Sequence, residues 1–170
     1  MNRLFKAGFI LLAYTLGSIE IAAAQSANPG CSSEMGAAQT LHCGAGITIV
    51  AENGARYTLQ GGRQGRVDAV ELGDKALLIE VSPKSGGSKF QVITPQAIAA
   101  VRGTKWAVDV AADKTSVFVV NGRVAVGRRT GTHSVTLRPG EGVDVEPGAP
   151  LTVKRWAPAR VSALMARLGQ

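Results

Sequence analysis

Histidine, cysteine and aromatic residues are all scarce in this chain. Its 170 residues include two His, two Cys, two Trp, two Tyr and four Phe. So few histidines leave little for nucleophilic catalysis, because a Ser or Cys nucleophile needs a base within reach and that base is usually His. His42 adjoins Cys43 and His133 adjoins Ser134. Adjacent residues on a strand point to opposite faces, so His133 and Ser134 do not form a dyad. No G-x-S-x-G elbow occurs. Acidic residues are also thin, 12 against 19 Lys and Arg. The carboxylate groupings open to glycoside hydrolysis are Asp109 with Asp113, and Glu141 with Asp144 and Glu146. Each lies at a strand end or a Pro-Gly turn, without an aromatic platform beside it in sequence. They miss the D-x-D-x-D-G spacing of a calcium loop, and the glycines match no phosphate-cradling motif. A small hydrolase is the weakest reading. The chain is expected not to be an enzyme, and nothing calls for a cofactor.

Bilayer-spanning length is missing as well. Arg3 and Lys6 precede an apolar stretch from Ala7 to Ile19, and Ala22-Ala23-Ala24 follows as an A-x-A cleavage pattern. The stretch falls short of the roughly 20 apolar residues a spanning helix needs, and Glu20 interrupts it. The expectation is a signal peptide over 1–24, cleaved near Ala24, and export to the periplasm or beyond, with no transmembrane helix in the mature chain. Asn28-Pro29-Gly30 before Cys31 is unlike the Leu-rich context of a lipoprotein signal. Residues 25–170 number 146 and carry 17 basic and 11 acidic side chains, a net +6. That length suffices for one domain with its own core. The charge favours acidic partners. Scattered Lys and Arg, few aromatics and export argue against nucleic acid.

The two cysteines, Cys31 and Cys43, read as a disulfide in an oxidising compartment. A metal site of Cys31, His42 and Cys43 lacks a fourth ligand, and adjacent His42 and Cys43 are awkward to aim at one ion. Residues 25–45 are expected to be a disulfide-pinned lead-in, residues 46–153 a β domain, and residues 154–170 a helical tail.

From Gly46 onward strands and turns alternate. Ile47–Val50 is β-branched, Glu52-Asn53-Gly54 turns, and Arg56–Leu59 resumes. Gly61–Gly65 breaks the pattern. Val67–Leu72 alternates, Gly73-Asp74 reads as a turn, and Ala76–Val81 as a further strand. Ser82–Ser88 is expected to be the most mobile internal loop. Ala111–Lys114 separates Trp106–Val110 from Thr115–Val120. Asn121-Gly122 is the strongest short hairpin signal, since both positions tolerate positive φ. Arg138–Gly142 turns into Val143–Val145. Strands this short and this regular predict an all-β module, either a short-stranded sandwich or a solenoid-like roll. One helix closes the chain. Val161, Leu164, Met165 and Leu168 share a face, predicted to lie as a lid over an open end of the β core with Trp156 anchoring its start.

Several spaced motifs carry a resemblance. Phe90–Val110 alternates apolar and polar residues, breaks at Thr94-Pro95 and places Arg102-Gly103-Thr104 between two apolar runs. Thr115–Val126 and Val135–Gly142 continue it through Asn121-Gly122 and Pro139-Gly140-Glu141. The chain resembles FecR-like domain proteins, exported β-rich modules of iron-transport signalling. In signalling members such a region follows an anti-sigma segment and a transmembrane helix, and a further part contacts an outer-membrane transporter. The pattern in this sequence is expected to lack those parts. The resemblance implies an exported interaction module and no catalysis.

Arg102-Gly103-Thr104 is the first candidate site. Gly103 is expected to supply a bulge or sharp bend, Thr104 to cap it, and Arg102 to bond turn carbonyls or a carboxylate such as Asp109. Arg123, Arg128 and Arg129, read as one hairpin, form the second. The partner is expected to be another envelope protein, or alternatively an anionic envelope polymer held by charge.

Overall fold

The computed structural model describes residues 30–44, 46–61, 66–83, 90–101, 103–131 and 133–170. The expected signal peptide, most of the Gly61–Gly65 and Ser82–Ser88 segments, and Arg102 lie outside the described residues. The strands are β1 (Cys31–Met35), β2 (Gln39–Cys43), β3 (Ile47–Ala51), β4 (Arg56–Gly61), β5 (Val67–Val81), β6 (Phe90–Ile93) and β7 (Ala97–Val101). They continue as β8 (Lys105–Ala111), β9 (Lys114–Asn121), β10 (Val124–Arg128), β11 (Ser134–Leu137), β12 (Glu141–Val145) and β13 (Lys154–Arg155), before α1 (Pro158–Arg167). The protein is all-β with one C-terminal helix, and its strands form one curled sheet.

The curl depends on β5. Its first half pairs with β4 and, in parallel, with β6. Its second half pairs with β3 and β8. One strand therefore belongs to two layers, β4-β5-β6-β7-β10-β11 and β1-β2-β3-β5-β8-β9-β12-β13. The passage falls where the register with β4 shifts between Arg56 and Tyr57 and Lys75 takes a φ of 64°. A bulge bends a strand and raises its twist, which lets it switch layers. Gly73-Asp74, which the sequence suggests is a turn, is instead part of this bent but unbroken strand. Pairing on both edges holds it extended.

The inner faces of the two layers form one core. Leu77 and Ile79 of β5, Trp106 and Val108 of β8, and Val117 and Val119 of β9 meet Val92, Ala99, Val124 and Val126 of the other layer. Phe90 and Trp106 pack edge-to-face across it, with ring centroids 6.0 Å apart. The intervening residues Val50, Leu78, Ala107 and Phe118 point outward and are also buried, because α1 covers them. Two buried faces explain why Ala76–Ile79 reads as a nearly continuous apolar run. The helix thus lies across an outer face of the sheet and not over an open end. The apolar stripe of β3, β5, β8 and β9 needs cover along its whole width, and Val161, Leu164, Met165 and Leu168 supply it.

Residues 31–43 are more than a lead-in. β1 and β2 form an antiparallel hairpin with Cys31 opposite Cys43, and β2 pairs with β3. The disulfide Cys31–Cys43 closes this hairpin. Small polar residues hid the strands, since their stability comes from the cross-link and from β3.

Asn121-Gly122 does not make a hairpin. β9 already has β8 on one edge and β12 on the other, so β10 crosses to the opposite layer and pairs with β7 and β11. Such corners, among them β7 to β8, β9 to β10 and β11 to β12, carry the chain between layers.

Candidate functional site

Two of these corners meet at the first candidate site. Gly103 takes a φ of 63° and Gly122 a φ of 87°, conformations that cost an L side chain most. A side chain on Gly122 would stand 2.7 Å from Thr104 Oγ1 and 2.9 Å from the Gly103 carbonyl oxygen. Thr104, buried, exchanges backbone hydrogen bonds with Val81 at 2.9 and 3.1 Å. Its hydroxyl donates to the Arg123 carbonyl oxygen at 3.2 Å. Gly103, Thr104 and Arg123 are thus brought together, with the Arg123 side chain exposed. Asp109, the carboxylate expected to receive Arg102, is held by Arg167, both Nη groups donating to it at 2.9 Å.

Arg128 and Arg129 belong elsewhere. They lie at the far end of β10 from Arg123, roughly 16 Å away at the rise of an extended strand. Arg128 Nη1 donates to the Glu146 carbonyl oxygen at 2.7 Å. Arg129 donates from Nη1 to the Thr94 carbonyl oxygen at 3.3 Å and pairs with Glu71 at 3.5 Å. Its backbone N–H reaches the Gln96 carbonyl oxygen. Beneath them the hydroxyls of Thr94 and Thr115 share a 2.8 Å hydrogen bond, and Thr115 bonds Gln96. Arg129 thus braces the Thr94–Gln96 turn, and Arg128 ties β10 to the end of β12. The three arginines do share the β10–β11 hairpin, with Arg123 at its open end and Arg128 and Arg129 at its turn.

The carboxylates are also engaged. Asp144 accepts from Ser116 at 2.7 Å and from Arg160 at 3.0 Å, and Arg160 also lies 3.5 Å over the Trp156 ring. Glu52 and Asp109 both receive Arg167, and Glu146 pairs with Lys114. Of the acidic groups open to reading as catalytic pairs, Asp109 and Asp144 hold α1 in place and Glu146 ties to the β8–β9 hairpin through Lys114. His133 and Ser134 are both exposed, and no hydrogen bond joins them.

Sequence reasoning missed a groove along β11. This strand is the outer strand of its layer, and the 147–153 link between β12 and β13 faces it. At the start of β11 lies a cleft of about 830 Å³ lined by residues including Arg128, His133, Val135, Pro150 and Leu151. At its end lies one of about 610 Å³ lined by Arg123, Thr136, Arg138, Glu141 and Val153. Glu141 is spent on its own turn, accepting from the Arg138 N–H at 2.8 Å. The exposed guanidiniums of Arg123 and Arg138 have no hydrogen-bond or ion-pair partner among the described residues. Arg138-Pro139-Gly140-Glu141 was visible as a turn; that it opens a groove follows only from the layer crossing. Among the described residues no helix is long and apolar enough to cross a membrane.

Over residues 39–125 the chain matches the family model described as FecR protein. Two crystal structures of a candidate anti-sigma factor from Parabacteroides distasonis ATCC 8503, at 1.65 and 2.50 Å resolution, share the fold. Each superposes with a TM-score of 0.60 at 20% identity, covering 81% of this chain and 62% of the other. The chain thus spans less than two thirds of that protein's length. No curated protein matches it.

Proposed function

The chain belongs to the FecR family, and from that premise we propose that it is an exported, non-catalytic protein-interaction module of the bacterial cell envelope, serving sensing or signalling. The observation that carries this reading is the division of charge. The carboxylates of Glu52, Asp109 and Asp144 are consumed in holding the fold, while Arg123 and Arg138 stand exposed and unpaired at a corner. That pattern suits recognition of an acidic surface. Gly103 and Thr104 are proposed as the frame beneath Arg123, with Arg102 beside them in sequence. The 1–24 signal pattern and the Cys31–Cys43 disulfide support an oxidising, exported setting. The anti-sigma designation of the fold neighbours agrees with a regulatory role.

A second reading has the same arginines and the net +6 charge of residues 25–170 hold an anionic envelope polymer. Salt separates the two. Tagged mature protein, expressed in its own envelope, is captured at low and at high ionic strength. Retention of one envelope protein at both supports the interaction module. Recovery of polysaccharide that is lost at high salt moves the assignment to polymer binding, because charge-dominated contacts are screened.

A further inference from the structure

Among the described residues β11 pairs with β10 alone, and no other backbone hydrogen bond reaches Ser134, Val135, Thr136 or Leu137. A strand with one unpaired edge is a template for another chain. We infer that the β11 groove receives an extended acidic segment of a partner protein, added as a new strand beside β11. The inference deepens the interaction-module reading and rests on it.

Three features set the chemistry of the occupant. Free N–H and C=O groups along an edge are satisfied by a peptide backbone, which a polysaccharide does not offer in register. Val135 is half-buried against the core together with Leu151, whereas Ser134 and Thr136 are exposed. A strand laid alongside repeats every second residue. Its alternate side chains would therefore enter the wider cleft between Val135 and Leu151, and the others would face outward. At the end of β11 those outward positions meet Arg123 and Arg138, whose charge has no partner, and Arg128 adds positive charge at the start. The segment that fits alternates apolar and acidic residues. Apart from Arg123, the residues lining the groove lie beyond the 39–125 stretch that matches the family.

The test uses the mature protein and a fluorescein-labelled peptide of three Glu-Val repeats, followed by anisotropy. Saturable binding is expected, with hydrogen-exchange protection at residues 134–137. Methylating alternate backbone nitrogens of the peptide should weaken binding about tenfold or more, since each forfeited hydrogen bond contributes measurably. The double variant Arg123→Glu/Arg138→Glu alters only exposed side chains and should weaken it as well. A Lys-Val peptide should not bind. Equal binding of the methylated peptide, equal binding of polyglutamate, or protection confined to β4 or β13 would each overturn the proposal. Polyglutamate binding would assign the surface to anionic polymers. Repeating the envelope capture with the double variant separates the two levels. A partner retained by both proteins removes the groove and leaves the module; peptide binding with no envelope partner does the reverse.

Discussion

At Gly142 of β12 a side chain would collide with the Trp156 indole and stand 2.8 Å from the Val117 carbonyl oxygen. The missing Cβ lets Trp156 lie flat on the sheet and stack on Phe118 at 5.1 Å. Gly142→Ala is expected to lose about 1–3 kcal/mol through overpacking, read as a lower urea midpoint with altered Trp fluorescence. Asp144 sets a pH response. Burial raises its pKa, but hydrogen bonds from Arg160 and Ser116 and the charges of Arg160 and Lys114 outweigh burial and hold it below the usual carboxylate range. A carboxylate depressed in the folded state stabilises above its unfolded pKa of about 4, and that contribution is lost as pH falls through the lower folded value. Wild type should therefore exceed Asp144→Asn in stability at neutral pH, and the gap should close as unfolding curves are taken below about pH 4. A gap independent of pH would remove the ion pair as its cause.

The element with most at stake is α1. Ten residues of helix are marginal alone in water, so the helix depends on the sheet beneath it. Leu164 and Leu168 are buried against Val50, Leu78 and Ala107. Truncating Leu164 to Ala should cost about 2–4 kcal/mol. Arg167 donates to both Asp109 and Glu52, and these hydrogen bonds raise its pKa further above the ordinary arginine range. Its side chain is 41% exposed, so Arg167→Ala should cost less than the leucine change, about 1 kcal/mol or under. Thermal unfolding of the two variants ranks them. The β1–β2 hairpin is coupled to the same helix, because Ala38 packs in the helical cluster. Reducing Cys31–Cys43 should release about 3 kcal/mol of loop-closure stabilisation. Faster amide exchange should appear first in β1 and β2, then at the end of α1.

At the scale of the whole molecule the corners decide the architecture. The turn residues Gly103 and Gly122 interlock with Thr104, tying the passage from β7 to β8 to the passage from β9 to β10. Gly122→Ala would force a side chain into Thr104 at a φ of 87°, and it should destabilise the protein more than an alanine substitution at Gly148. That glycine also has positive φ but has nothing within 4 Å of an added Cβ. The helical cluster and the inner core are separate apolar clusters. Native-state hydrogen exchange should therefore show α1 opening at lower free energy than β5, β8 and β9, whose amides wait for global unfolding. A single exchange free energy for all of them would mean that the helix and the sheet unfold as one.

Much of this was readable along the chain. β-Branched alternation marked β3, β8 and β9, because a strand's period of two is written in consecutive residues. The apolar spacing of Val161, Leu164, Met165 and Leu168 marked the helix face for the same local reason, and two cysteines behind a signal-like N-terminal pattern marked the disulfide. What the sequence left open were matters of partnership. Asn121-Gly122 codes a tight reversal, but whether the next strand pairs back depends on whether β9 has a free edge, and β8 and β12 occupy both. Gly73-Asp74 looks like a turn until neighbours on each side keep β5 extended. The groove along β11 has no sequence signature, since it arises where a layer ends. Periodicity and turn chemistry are local and so belong to the sequence. Edge occupancy and layer crossing are non-local, and only the packed sheet determines them.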